Sequence, residues 1–426
     1  MIKGIYNLEK SENAMHNSLV THPLMELCES ITDCHHSTPE YLDSGYLVIR
    51  NFNIKNGRLL LGDSSYTSKE SFYDRIARSK PEPGDLILTR EAPMGEVCIV
   101  PEGIECCLGQ RMVLIKPNKK KVDNKYLLYV LLSQYAQNQI KQSEGTGSIV
   151  SNLRIPTLKE IKIPYFNLDT QKNIGLVLST IDSKIELNKR IDFELESTIK
   201  VLYEYWFVQY DFPDNNNKPY KTNGGKMSFN AELGRDIPKG WNIDKFINIT
   251  NWISGSQPPK STFIHKENEG YVRFIQNRDY ASGEHKTYIK VSPNNKLCDE
   301  YDIMIDKYGN AATVRFGIAG AYNVALSKIE VYLKDGQEFI RNYLKSDSVY
   351  NYLNKACMAS TRASLSRENL IFLEVVVPPF HLLNEFEGIA KNVIKSVLKN
   401  RKENQKLSEL RDWLLPMLMN GQVKVK

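Results

Sequence analysis

The chain has 426 residues, 41% of them hydrophobic and 10% aromatic, which is enough for more than one packed core and too apolar for a disordered chain. Its net charge of +6 is compatible with nucleic acid without requiring it, and no stretch is long and apolar enough to span a membrane. Seven scattered cysteines, without a CxxC pair, and a polar start, MIKGIYNLEKSENAMHNS, fit reduced thiols in a cytoplasm better than a secreted, cross-linked chain.

In chain order the first notable segment is TDCHHSTPEY at 32–41, with Cys28 just upstream, which brings two thiols and two imidazoles close together. Short β-rich runs follow, SGYLVIRNFNI at 44–54 and GDLILTREAPMGEV at 84–97. A helical stretch spans 124–142, a Gly/Ser/Thr loop spans 145–154, and a β run, EIKIP, closes the segment at 160–164. The same order then recurs. EGYVRFIQNRDY at 269–280 echoes 44–54, and YDIMIDKYGNAATV at 301–314 echoes 84–97. A helical stretch at 337–356, the loop MASTRASLSR at 358–367 and LEVVVP at 373–378 complete the second copy. Strands, one helix and a polar loop, present twice, predict two small mixed α/β domains.

A long helix is predicted after each copy. The first has apolar positions at Ile174, Leu178, Ile181 and Ile185, then polar Asn188 and Asp192, then Leu195, Ile199 and Leu202. Steps alternating four and three make this a heptad seam. At an offset of 212 the second reads Phe386, Ala390, Val393, Val397, then Asn400 and Asn404, then Leu407, Arg411 and Leu414. One such seam is explained by packing on its own domain. Two that match, each with a polar interruption, predict an antiparallel pair in which Asn188 faces Asn404 and Asp192 faces Asn400, fixing register at some loss of stability. Between the copies, PDNNNKPYKTNGGK at 213–226 is a turn-rich connection leading to IPKGWNI at 237–243.

This order, together with YWFVQYDFPDNNNKPYKTNGGKMSFNAELGRDIPKGW at 205–241 and the helix entry IKIPYFNLDTQKNI at 161–174 with Gln171, resembles the DNA specificity subunit of type I restriction–modification systems. The resemblance covers all but about the first twenty residues, although Glu385 and Phe386 stand where the second helix entry would usually carry Gln. It implies an α+β fold: two pseudo-repeated mixed α/β target-recognition domains separated by two long antiparallel helices forming a coiled coil. On that pattern 1–166 is the first recognition domain, 167–211 the first spacer helix, 212–378 the linker and second recognition domain, and 379–426 the second spacer helix. The resemblance also implies that each domain reads half of a split double-stranded DNA target. The helices would dock two methyltransferase subunits that modify adenine with S-adenosylmethionine. A translocase/endonuclease subunit using ATP and Mg would join where the complex includes one, serving phage defence. No cofactor is expected on this chain. A helix over 169–206 would run roughly 57 Å at about 1.5 Å per residue, longer than the ~34 Å of a duplex turn.

Catalytic motifs are missing. There is no GxxxxGK[ST] loop and no HExxH. Val377-Pro378-Pro379-Phe380 lacks the Asn, Asp or Ser that an amino-methyltransferase needs before its prolines, and Glu160-Ile161-Lys162 lacks a preceding Pro-Asp. Cys34, His35 and His36 are too bunched to converge on one ion, and the second copy carries WISGSQPPK at 252–260, without Cys or His, in that place. No metal site is therefore expected.

Arg and Lys read guanine, Asn and Gln read adenine, and hydroxyls and backbone amides grip phosphate. The DNA-binding candidates in the first domain are His36, Arg50, Asn51, Asn53, Arg90, Arg111 and the loop residues Gly145, Thr146 and Ser148. In the second they are Arg273, Gln276, Asn277, Arg278, Lys307, Tyr308, Asn310, Arg315 and Arg362. Two other readings stay open at this point: a sequence-specific nuclease with its metal at the Cys-His-His loop, and a coiled-coil adaptor that binds protein.

Overall fold

The computed structural model describes residues 8–10, 20–142, 152–281, 286–358 and 364–425. The chain folds into two compact units, Met1–Leu187 with Glu403–Lys426, and Asn188–Lys402. Both are mixed α/β, as the sequence predicts.

In the first unit an antiparallel sheet runs in the order Cys28–Asp33, Met112–Pro117, Leu86–Thr89, Val97–Ile99. Its central strands, LILT and MVLIKP, are near-continuous apolar runs because they are covered on both faces, and Leu86, Leu88, Val113 and Ile115 are fully buried. A second sheet places Tyr46–Ile49 between Cys106–Leu108, in parallel, and Ser65–Thr67, antiparallel. Lys162–Pro164 closes the unit against Thr21–Pro23. Leu8–Lys10 and Val423–Val425 also pair antiparallel.

The second unit repeats this topology. Its antiparallel sheet runs Thr250–Ser254, Leu326–Val331, Ile303–Asp306, Val314–Arg315. Tyr271–Ile275 pairs in parallel with Gly320–Tyr322 and antiparallel with Tyr288–Lys290, and Asn242–Lys245 closes against Glu374–Val377.

The single helix expected in each copy is two helices. Asn124–Leu132 and Gln134–Gln142 are separated by Ser133, and Gln337–Lys345 and Asp347–Met358 by Ser346. Both serines are extended, with ψ of 151° and 142°, and each hydroxyl donates to the carbonyl three residues back, Val130 at 2.6 Å and Tyr343 at 2.7 Å. Such local hydroxyl bonds compete with the helical ladder, which apolar periodicity does not register.

The long helices are Leu168–Tyr203 and Phe380–Met419, and every position of both seams is buried or half-buried. Within the first unit Ile174, Leu178, Ile181 and Ile185 share a core with Leu407, Leu414 and Leu418, and Arg411 Nη1 pairs with Asp182 Oδ1 at 2.9 Å. Asn404, expected opposite Asn188, donates from Nδ2 to the Ile185 carbonyl at 3.3 Å, while Asn188 is buried. Within the second unit Ile199 and Tyr203 pack with Phe386 and Ala390, and Asn400 Nδ2 donates to Asp192 Oδ1 at 2.8 Å. In each unit the partner number falls as the residue number rises, so the segments run antiparallel.

The turn-rich connection is folded onto the second unit. Phe212 stacks on Tyr220 and Trp241, with centroids 4.6 and 5.1 Å apart, and the Asp214 carboxylate accepts the Asn216 and Lys218 amides. Among the described residues no helix is long and apolar enough to cross a membrane.

Candidate nucleic-acid interface

In the first unit three tight turns leave the two sheets on one side and are tied together by backbone bonds. Gly109 N donates to Ile49 O at 2.8 Å, Arg90 N to Arg111 O at 2.8 Å, and Leu153 N to Arg90 O at 3.1 Å. Two amide side chains add to this: Gln110 Nε2 donates to His36 O at 2.6 Å, and Asn51 Nδ2 donates to Ala92 O. These segments border a polar cleft of about 240 Å³ lined by His36, Arg90, Glu91, Gln110, Arg111 and Asn152.

The candidate residues differ sharply in what they are free to do. His36 is 73% exposed at its side chain, with Nε2 3.4 Å from Asp33 Oδ2. Arg90 is only 11% exposed: Nη1 meets both carboxylate oxygens of Asp33 at 2.7 and 2.9 Å, Nε donates to Leu153 O at 2.9 Å, and Nη2 donates to Asn152 Oδ1 at 3.1 Å. It clamps the cleft wall, so it is not a free guanine reader. Asn53 is likewise interior, 2% exposed, accepting the Arg50 amide and donating to Leu60 O and Asp63 O. Arg111, at φ +66°, pairs with Glu91 at 3.0 Å. Arg50 packs on Tyr41 and Phe52.

The Cys-His-His segment disperses. Cys28 and Cys34 point into the interior, where burial pushes the Cys28 thiol up to about 12 and raises that of Cys34, opposing the thiolate that a metal requires. Cys34 Sγ accepts the Met112 amide at 3.2 Å, His35 Nδ1 lies 3.7 Å from Asp74, and His36 turns to Asp33. Among the described residues no cluster of three or more His, Cys, Asp or Glu side chains is arranged to hold a metal.

The second unit repeats the frame with different side chains. Asn323 N donates to Ile275 O at 3.0 Å, Lys307 N to Ala325 O at 2.8 Å, and Leu365 N to Lys307 O at 2.9 Å. Lys307, Tyr308, Val324 and Ala325 thus stand where the first unit has Arg90, Glu91, Gln110 and Arg111. Lys307 Nζ lies 5.8 Å from the Tyr308 ring centroid, and Tyr308, Asn310 and Arg278 are exposed. Gln276, Asn277 and Arg273 are half-buried. Arg315 is committed to Asp306, which is 2% exposed and accepts Nη2 at 3.0 Å and Nε at 3.2 Å. Burial raises the Asp306 carboxyl, and the arginine opposes that rise. Gly145, Thr146, Ser148 and Arg362 lie outside the described residues.

Sequence reasoning missed Gln110 and Asn152. Gln110 has the side-chain type that reads adenine, and its place beside Arg111 in LGQRM was the available signal. Asn152 follows the Gly/Ser/Thr loop and becomes visible only through its bond to Arg90.

Residues 20–197 match the family model described as the type I restriction modification DNA specificity domain. The chain is 27% identical over 358 residues to the type I restriction enzyme MjaIX specificity subunit of Methanocaldococcus jannaschii, spanning 80% of this chain and 78% of that protein. It is 22% identical to the HindI specificity subunit of Haemophilus influenzae, spanning 74% of this chain and 81% of the other. Its fold is similar to the crystal structure of the S subunit of a type I restriction–modification system from M. genitalium, with a TM-score of 0.58, 17% identity and coverage of 95% and 97% of the two chains.

Proposed function

We infer that this chain is a type I restriction–modification specificity subunit, as its match to that family's domain over residues 20–197 and its similarity to the MjaIX specificity subunit support, and we propose that each of its units reads one half of a split DNA target. The observation that carries this reading is the duplicated frame. The same three backbone bonds hold the same turns in both units, while the side chains they present differ: Glu91 against Tyr308, Gln110 against Val324, Arg111 against Ala325. A fixed backbone with exchanged side chains is what two readers of different sequences need, since base edges are distinguished by donor and acceptor pattern.

On this reading the chain is a non-catalytic recognition subunit acting in the cytoplasm. The paired long helices set the gap between half-sites and dock two methyltransferase subunits. S-adenosylmethionine binds those subunits. ATP and Mg bind a translocase/endonuclease subunit where the complex includes one. The dispersed Cys-His-His segment gives the nuclease alternative no metal centre to use, and the relatives are named as specificity subunits.

Co-expression with a methyltransferase subunit of the same system, followed by methylome sequencing, tests the proposal. Methylated adenines in a target of two defined parts separated by an undefined gap are expected. A continuous target, or no methylation by an assembled complex, would overturn it.

A further inference from the structure

One turn position is placed alike in the two units and carries different side chains. Arg50 and Gln276 follow the strands Tyr46–Ile49 and Tyr271–Ile275, which make the parallel pair in each unit. Each begins a short turn whose third residue closes back on it: Asn53 Oδ1 accepts the Arg50 amide at 2.9 Å, and Asp279 Oδ2 accepts the Gln276 amide at 2.7 Å. The preceding carbonyls, of Ile49 and Ile275, take the equivalent bonds from Gly109 and Asn323. The matching is therefore geometric, although the second strand has one residue more between its Gly-Tyr start and this turn.

Arg50 is distinguished by how it is held. Of Arg50, Arg90 and Arg111, it alone has no carboxylate partner among the described residues. Its guanidinium carbon lies 4.6 Å from the ring centroids of both Tyr41 and Phe52, and both rings are exposed. Ring contacts occupy the faces of a guanidinium and restrict its rotamers, leaving the in-plane N–H groups for hydrogen bonding. Nη1 meets Ser65 Oγ at 3.4 Å, a long contact that leaves most of the donor fork unspent. A charged, oriented fork beside the recognition cleft matches the paired O6 and N7 acceptors of guanine, while a glutamine amide offers the donor and acceptor that match adenine N6 and N7.

We propose that this shared turn position reads one base pair in each half-site, guanine through Arg50 and adenine through Gln276. The assignment rests on the DNA-reading function proposed above and deepens it to individual residues.

Its test is methylome sequencing of the assembled methyltransferase complex carrying wild-type chain, Arg50→Gln, Arg50→Lys or Gln276→Arg, with assembly checked by co-purification. A wild-type complex that methylates no split target would overturn the DNA-reading function itself. Given a split target, the expected result is that Arg50→Gln changes one guanine of one half-site to adenine and leaves the other half-site alone. Gln276→Arg should make the reverse change in the other half. Arg50→Lys keeps the charge but loses the planar fork, and should reduce discrimination at that same guanine by about ten- to a hundred-fold, the scale of one bidentate contact. The assignment is overturned if intact variant complexes keep the wild-type base preference, or lose methylation uniformly at all targets as a phosphate contact would.

Discussion

Asn400 donates to Asp192 at 2.8 Å in the polar middle of the helix seam, and Asp192 is buried there. A polar pair in such a place adds little net stability, because each group gives up water to meet the other. It penalises registers in which the pair is parted and either group is left against an aliphatic side chain. Asp192→Leu alone leaves the Asn400 amide facing hydrocarbon and should destabilise the chain by roughly 1–3 kcal/mol. Adding Asn400→Leu should recover most of that loss. Denaturant unfolding of the two single variants and the double variant checks this, and additive losses would show that the pair does not act as a unit.

The charge on Asp192 carries a pH signature. Burial raises its carboxyl above the ordinary range, opposed by the Asn400 bond and by Arg401. A carboxyl whose folded value is raised contributes stability that is fully present below its unfolded value, about 3.9, and is lost as pH rises through the folded value. Asp192→Asn, which keeps an acceptor for Asn400 without the charge, should therefore melt higher than wild type at pH 7. The difference should shrink towards zero below about pH 4. A variant that melts lower at neutral pH would mean that the carboxylate is net stabilising.

The Asp192–Asn400 pair was legible because the two seams share an offset and an antiparallel arrangement then dictates which residues meet. The doubled domain was legible for the same reason: repeated patterns reveal organisation even where each element is ambiguous. Side-chain commitments were not. Arg90 looks like a guanine reader in LILTREAP, and only folding brings it to Asp33, 57 positions away, and to the Leu153 carbonyl. Asn53 reads as a surface amide until the short turn after Ile49 points it inward. Ser133 and Ser346 escaped notice because a single serine does not disturb the helical spacing of the apolar residues around it.

Breaking the Arg90 clamp should therefore act on structure before recognition. Asp33→Ala strands a nearly buried guanidinium and should destabilise the chain by about 1.5–3 kcal/mol, the scale of hydrogen bonds to charged groups. Thermal unfolding of the isolated chain reads this without any DNA. A neutral outcome would show that Arg90 is free to turn into the cleft.

His35→Ala/His36→Ala should do the opposite. His36 is exposed, and half-buried His35 has its Nδ1 3.7 Å from the exposed Asp74 carboxylate, so stability should hold to within roughly 0.5 kcal/mol. Affinity of the assembled complex for its target should fall by about 1–3 kcal/mol if a base contact is lost. Elemental analysis should find no stoichiometric metal in the wild-type chain. A zinc equivalent removed by the double substitution would contradict the dispersed geometry.

If one frame, built twice, reads two sequences independently, the two units can be exchanged one at a time. Replacing residues 240–375 with the corresponding segment of another family member, and sequencing the methylome of the resulting complex, tests this most directly. One half of the split target should change and the other half should be retained. Both halves changing together, or neither changing in an assembled complex, would contradict independent reading.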